Sequence, residues 1–144
     1  MIYCGYQGSG KSTYCRNNPT TTIDLDSSAF AKTLGWEKLY VQTAVELGKN
    51  KNVFISAHQA VIEYCIANHV PFAILAPAQS KEAWRARLEF RYYKNPTLPN
   101  FKAIADFEKH FDSDLNYYRN LENQGVTVHW ITATVVTNIS EFIA

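Results

Sequence analysis

Residues Gly5-Tyr6-Gln7-Gly8-Ser9-Gly10-Lys11-Ser12 constrain this chain more than any other stretch. They satisfy every fixed position of G-x-x-x-x-G-K-[ST], the phosphate-binding loop that runs from a strand into a helix. Glycines let successive main-chain N–H groups turn inward and form an anion nest. The helix that follows adds the positive end of its dipole. The flanks agree with the motif. Met1-Ile2-Tyr3-Cys4 is short, apolar and β-prone, and Ser12-Thr13-Tyr14-Cys15-Arg16 continues as a helix. Gly8, Ser9, Gly10, Lys11, Ser12 and Thr13 are therefore the expected nucleotide-contacting residues. Lys11 reaches the β- and γ-phosphates, and the Ser12 hydroxyl sits on Mg²⁺.

Beyond the loop, strands and helices alternate. Thr20–Leu25 is rich in β-branched residues and predicts a second strand. Ser27 is placed to cap a short helix through Thr33. Trp36–Leu47 has helical spacing, with Leu39, Tyr40, Thr43, Ala44 and Leu47 on one stripe. Asn52–Ser56 suits a strand buried on both faces. Ala57–His69 predicts a helix with Val61, Ile62, Cys65 and Ile66 inward, and Pro71–Ala76 predicts a fourth strand. Ser80 caps a helix from Lys81 to about Tyr93, which ends before Asn95-Pro96. Pro99–Asn123 is a long amphipathic helix striped by Phe101, Ile104, Phe107, Phe111, Leu115, Tyr118 and Leu121. Val126–Thr132 predicts the last strand, with His129 and Trp130 buried in it, and residues 139–144 predict a final helical turn. Short strands alternating with helices imply an α/β fold: a five-stranded parallel sheet with helices on both faces. Right-handed crossovers then put the phosphate loop at the carboxyl edge of the sheet.

The 144 residues suggest a single domain spanning 1–144. A net charge of +1 gives no bulk attraction to nucleic acid, although a local basic groove remains open. Cys4, Cys15 and Cys65 are odd in number and form no metal-ligand spacing, so they read as buried thiols in a reducing compartment. No apolar stretch approaches the ~20 residues needed to span a bilayer, and the first strand leaves no room for a signal peptide. A soluble, cytoplasmic protein is expected.

The strand ends supply the candidate chemistry. The second strand finishes Asp24-Leu25-Asp26-Ser27-Ser28. Alternation along a strand puts Asp24 and Asp26 on one side. One carboxylate of such a pair can hold Mg²⁺, and the other can take a proton from an attacking hydroxyl or orient the acceptor. Asp26 or Ser27 can instead cap the next helix. The third strand ends Ser56-Ala57-His58, without the usual acid at that place, which moves the metal role toward Asp24 together with Ser12. Ser56 can bind the metal's water shell or cap the following helix, and His58 can face the phosphates or solvent. Along Trp84-Arg85-Ala86-Arg87-Leu88-Glu89-Phe90-Arg91, Arg87 and Arg91 lie four apart on one border of an apolar stripe, and Arg85 lies on the other. Adjacent guanidinium groups can clamp phosphoryl oxygens, or simply form a solvated basic face.

Taken in order, C-G-Y-x-G-x-G-K-S-T, I-D-L-D-S-S, I-S-A-H and A-P-A-x-S-K-x-x-W-x-x-R-L-x-x-R resemble small P-loop kinase-like proteins common in bacteriophage genomes. That group lies near the nucleoside monophosphate kinases. The resemblance implies a P-loop kinase fold, with a helical lid at about 80–97 that carries Arg87 and Arg91. It also implies that the turn at Thr132–Thr134 approaches the adenine. The D-x-D pair departs from adenylate kinases proper and is more like shikimate, gluconate and polynucleotide 5′-hydroxyl kinases. There, one Asp contacts or deprotonates an acceptor hydroxyl.

The expectation is therefore a kinase using ATP and Mg²⁺, with Lys11, Asp24, Asp26, Arg87 and Arg91 as catalytic residues. Its acceptor is small, first of all a nucleoside or deoxynucleoside monophosphate. A nucleic acid 5′-hydroxyl is the second acceptor class. A nucleotide-binding regulator with little turnover is the third reading, motivated by the missing acid after the third strand.

Overall fold

The computed structural model describes residues 1–132. The expected last helical turn, and all of the Thr132–Thr134 turn but its first residue, lie outside them. Five strands form one sheet in the order β2-β3-β1-β4-β5. They are β1 (Ile2–Gly5), β2 (Thr22–Asp24), β3 (Asn52–Ser56), β4 (Phe72–Pro77) and β5 (Val128–Ile131). Every neighbouring pair is parallel. The helices are α1 (Lys11–Asn17), α2 (Trp36–Leu47), α3 (Gln59–Ala67), α4 (Lys81–Lys94) and α5 (Leu98–Asn123). β1 lies between β3 and β4, so the chain winds away from it through β2 and β3 and returns to its other side with β4. That reversal opens a crevice at the carboxyl ends of the central strands.

Both faces of the sheet are covered. Tyr3 and Phe54 sit opposite each other in register and stack at 5.2 Å, and Tyr14 of α1 closes on Phe54 at 5.7 Å. Cys4, the next residue on β1, points to the opposite face, where its thiol lies beside that of Cys65 on α3. All three cysteines are free and buried, as read from the sequence. Tyr40 of α2 is fully buried and ties two strand ends together. Its hydroxyl donates to the Leu25 carbonyl at 2.6 Å and accepts from the Ser56 N–H at 2.9 Å. Burial pushes this phenol up to about 12.

Several expectations need correction. β2 is shorter than Thr20–Leu25, because the Thr22 N–H turns back to the Asn18 carbonyl at 3.2 Å before the ladder begins. The helix expected over Ser27–Thr33 is one 3-10 turn, Ser27–Ala29. The Phe30 N–H closes that turn on the Ser27 carbonyl at 3.0 Å, and Phe30 itself is extended, so the helix goes no further; the Lys32 ammonium also reaches the carbonyls of Ser27 and Phe30. Leu39, Leu47, Ile66 and Phe101 are exposed, because α2 and α3 bury the neighbouring stripes of Tyr40, Val41 and Ala44 and of Val61, Ile62 and Cys65. His129 and Trp130 are half-buried, since among the described residues β5 is an edge strand paired with β4 alone. Among the described residues no helix is long and apolar enough to cross a membrane.

Tyr40→Phe removes the partner of a half-buried carbonyl and of a half-buried N–H at once. We expect a loss of about 1–3 kcal/mol in urea unfolding, with little change in secondary structure by circular dichroism.

Candidate active site

The glycine loop is held from three sides. The Tyr6 N–H donates to the Leu75 carbonyl at 2.9 Å, which carries β1 one residue further along β4. The Ser9 N–H turns back to the Tyr6 carbonyl at 3.0 Å. The indole Nε1 of Trp84, buried at the start of α4, donates to the Gln7 carbonyl at 2.9 Å. Two positions demand glycine. Gly8 has φ +82°, and a Cβ there would lie 2.9 Å from Leu88 Cδ2 and 3.2 Å from Trp84 Nε1. Gly10, at φ +87°, turns the chain into α1 and puts Lys11 at its first position.

A cleft of about 1160 Å³ opens above this loop. Of the residues expected from sequence, Gly8, Gly10, Lys11, Ser12, Thr13, Asp24, Asp26, Ser56, His58, Arg87 and Arg91 all line it. Ser9 is buried beneath the loop instead, and its hydroxyl has no partner among the described residues. Ser12 Oγ donates to Asp24 Oδ2 at 2.7 Å, which brings a hydroxyl and a carboxylate together at the loop's end. β2 stops at Asp24, so Asp26 is not its strand partner. Asp26 is the cap of the 3-10 turn, with Oδ1 accepting from the Ser28 N–H at 2.9 Å. Capping and cleft-lining coexist, because that bond occupies one carboxylate oxygen only. Burial lowers the Lys11 ammonium, Asp24 and Asp26 counter that shift, and Arg91 adds to it. The lysine thus sits between the carboxylates and one guanidinium.

Arg87 and Arg91 are the most distinctive pair. The Arg87 guanidinium stacks over the Trp84 ring at 3.9 Å, and Nη1 donates to Gln79 Oε1 at 3.2 Å. Its Nη2 and the Nε of Arg91 are buried with no partner among the described residues. Burial alone lowers both, Arg87 to about 10, which still leaves it charged at neutral pH. Buried donors of this kind ask for an anion. Arg85 lies elsewhere. It pairs with Glu108 of α5 and does not line the cleft.

Ser56 does not cap α3. Its hydroxyl donates to Ser27 Oγ at 3.3 Å, and Ser27 Oγ lies 3.4 Å from His58 Nε2. Sequence reasoning missed the far wall of the cleft, where Asp106, His110 and Asp114 of α5 stand with Tyr6. Their spacing of four on a helix was the available signal, masked by an apolar stripe that reads as core. Arg16 and Lys94 were missed as well, and both line the cleft.

No protein-family model matches the chain, and no curated protein matches it in sequence. Solved structures do share its fold. A shikimate kinase from Bacteroides thetaiotaomicron superposes with a TM-score of 0.55 at 13% identity, covering 98% of this chain and 94% of that one. A gluconokinase from Sinorhizobium meliloti 1021 gives 0.51 at 12% identity, covering 97% and 86%.

Two outcomes follow from this geometry. Gly8→Ala forces a left-handed residue into α4, and we expect about 2 kcal/mol or more of destabilisation in chemical unfolding. His58 is lowered from 6.5 by burial, then by Lys32 and Lys11, with Asp106 opposing. The unfolded imidazole therefore takes its proton at a higher pH than the folded one, and the group costs stability as pH falls below about 6.5. An NMR titration should place its midpoint below that value, and His58→Gln should soften the acid-side loss of stability.

The fold these residues build is that of the small P-loop kinases.

Proposed function

We propose that this chain is an ATP- and Mg²⁺-dependent phosphotransferase that moves the γ-phosphoryl group to a small acceptor. One observation carries the reading. Lys11 stands on a glycine loop that shares its cleft with Arg87 and Arg91, and Nη2 of Arg87 and Nε of Arg91 are buried with no partner among the described residues. Phosphoryl transfer needs positioning and charge stabilisation more than covalent help, and this is that equipment. The loop amides and Lys11 would bind the β- and γ-phosphates. Arg87 and Arg91 would take up charge on the moving group. Ser12 and Asp24, hard oxygen donors already in contact, fit Mg²⁺. Among the described residues no set of three His, Cys, Asp or Glu side chains could hold a metal, so phosphate and water would supply the remaining ligands. When bound, the ion neutralises charge on the phosphate oxygens.

Asp26 keeps Oδ2 free to accept the proton of an acceptor hydroxyl. That favours a hydroxyl acceptor over a nucleoside monophosphate, which is already anionic and needs no base. The resemblance in sequence leans the other way, toward the monophosphate. Incubation with γ-labelled ATP, Mg²⁺ and a panel of monophosphates, nucleosides, polyols and 5′-hydroxyl oligonucleotides separates these classes. Labelled oligonucleotide would make it a polynucleotide kinase. Tight ATP binding without acceptor-dependent ADP release would make it a regulator.

Lys11→Ala is expected to abolish transfer, and undiminished labelling in that variant overturns the assignment. Asp26→Asn is expected to lower kcat by about 10²-fold or more while ATP affinity by calorimetry stays within a few-fold. An equal loss of ATP affinity would give Asp26 to the metal.

A further inference from the structure

The glycine loop contains a turn that its own residues leave undecided. The Ser9 N–H returns to the Tyr6 carbonyl at 3.0 Å and closes a four-residue β-turn with Gln7 and Gly8 at its centre. Gly8 has φ +82°, the value that a type II turn asks of its third residue. A type I turn joins the same two ends with the central peptide turned over. Glycine at the third place accepts either form, so the sequence of the turn does not choose between them.

The indole of Trp84 chooses. Its Nε1 donates at 2.9 Å to the Gln7 carbonyl, which belongs to that central peptide. The peptide is trans and planar, so a carbonyl held toward Trp84 sends the Gly8 N–H the opposite way. Gly8 lines the cleft, and its N–H makes no hydrogen bond among the described residues. Turned over, the same peptide would present a carbonyl oxygen in place of that donor, and an oxygen repels phosphate. The position of the indole is set by elements outside the loop. Ser80 caps α4, and the Trp84 N–H closes the first turn on the Ser80 carbonyl at 3.0 Å. β4, which leads into α4, pairs with β1, which leads into the loop. The Tyr6 ring meets the indole edge-to-face at 6.3 Å. Trp84 is fully buried and does not line the cleft, so it acts on a ligand only through other groups. The Arg87 guanidinium on its ring face is one such group, and the Gln7–Gly8 peptide is the other.

We propose that Trp84 is a positioning residue for phosphoryl transfer, whose N–H locks the Gln7–Gly8 peptide in the orientation that offers the Gly8 N–H to the donor's phosphates. This rests on the kinase reading above and deepens it. The lock sets how much of the loop is ready to bind. A loop about nine-tenths turned over loses about tenfold in apparent affinity for nucleotide, although no residue that touches the nucleotide has changed.

Two replacements keep an aromatic ring against Arg87 and remove the donor. One is Trp84→Phe. The other puts 3-benzothienylalanine at position 84, which keeps the shape of the indole with sulfur in place of N–H, and it decides the matter where the first fails to fold. Each is compared with wild type at a temperature where circular dichroism shows it folded. Calorimetry measures ATP and ADP binding with Mg²⁺, and γ-labelled ATP measures transfer to the acceptor that wild type labels. Affinity for ATP and ADP should fall about tenfold or more, with KM for the acceptor within about twofold of wild type. A merely structural role would lower the unfolding midpoint and leave the nucleotide affinity of the folded enzyme unchanged. Wild-type affinity for ATP and ADP in the benzothienyl variant, or an equal rise in KM for donor and acceptor, overturns this inference and leaves the kinase reading standing. Absence of any Lys11-dependent labelling by wild type overturns both.

Discussion

The site depends on a single indole. Trp84 donates to the Gln7 carbonyl, packs against Gly8 and carries the Arg87 guanidinium on its ring. A glycine-rich loop left alone would spread its amides over many conformations, at a cost of about 1–2 kcal/mol per residue to order them. Trp84 removes that freedom from the first residue of α4 that is fully buried, and it aims the arginine helix at the loop in the same contact. Leu88, one turn later and also buried, completes the seat under Gly8. The region expected to act as a lid is thus anchored at its base, and its distal end still lines the cleft through Lys94 and Asn95.

Charge at the loop is balanced rather than neutral. Burial pulls the Lys11 ammonium below its ordinary value, and Asp24 and Asp26 work against that shift. Arg91 opposes them, and an incoming polyanion would relieve that repulsion. The buried nitrogens of Arg87 and Arg91 that have no partner among the described residues follow the same logic: donors left unsatisfied inside a protein cost about 1–3 kcal/mol each, which ligand binding can return. On the proposed reading, the phosphates are that ligand.

The fold is shared with two solved kinases named for different acceptors, at 13% and 12% identity. A shared scaffold of this kind names no acceptor by itself. One wall of the cleft is α5, a 26-residue helix packed along α4. Its inner stripe, Phe107, Phe111, Leu115 and Tyr118, is buried in the core, so the acids on the stripe's edge are held at fixed positions over Tyr6.

The sequence by itself determined the parallel sheet, the loop and the cleft-lining place of Asp24, Asp26, Arg87 and Arg91. Those features rest on short-range rules: glycine at left-handed turns, alternation of apolar runs, caps and i,i+4 spacing. It failed where tertiary contacts outbid local preference. The helix expected after Ser27 is a single 3-10 turn that ends where Phe30 becomes extended, and between the two readings of Asp26 only the fold chose the cap. Only the folded molecule could bring Asp106 and Asp114 across the cleft from Lys11, because about a hundred residues of chain separate them and no local pattern records a distance in space.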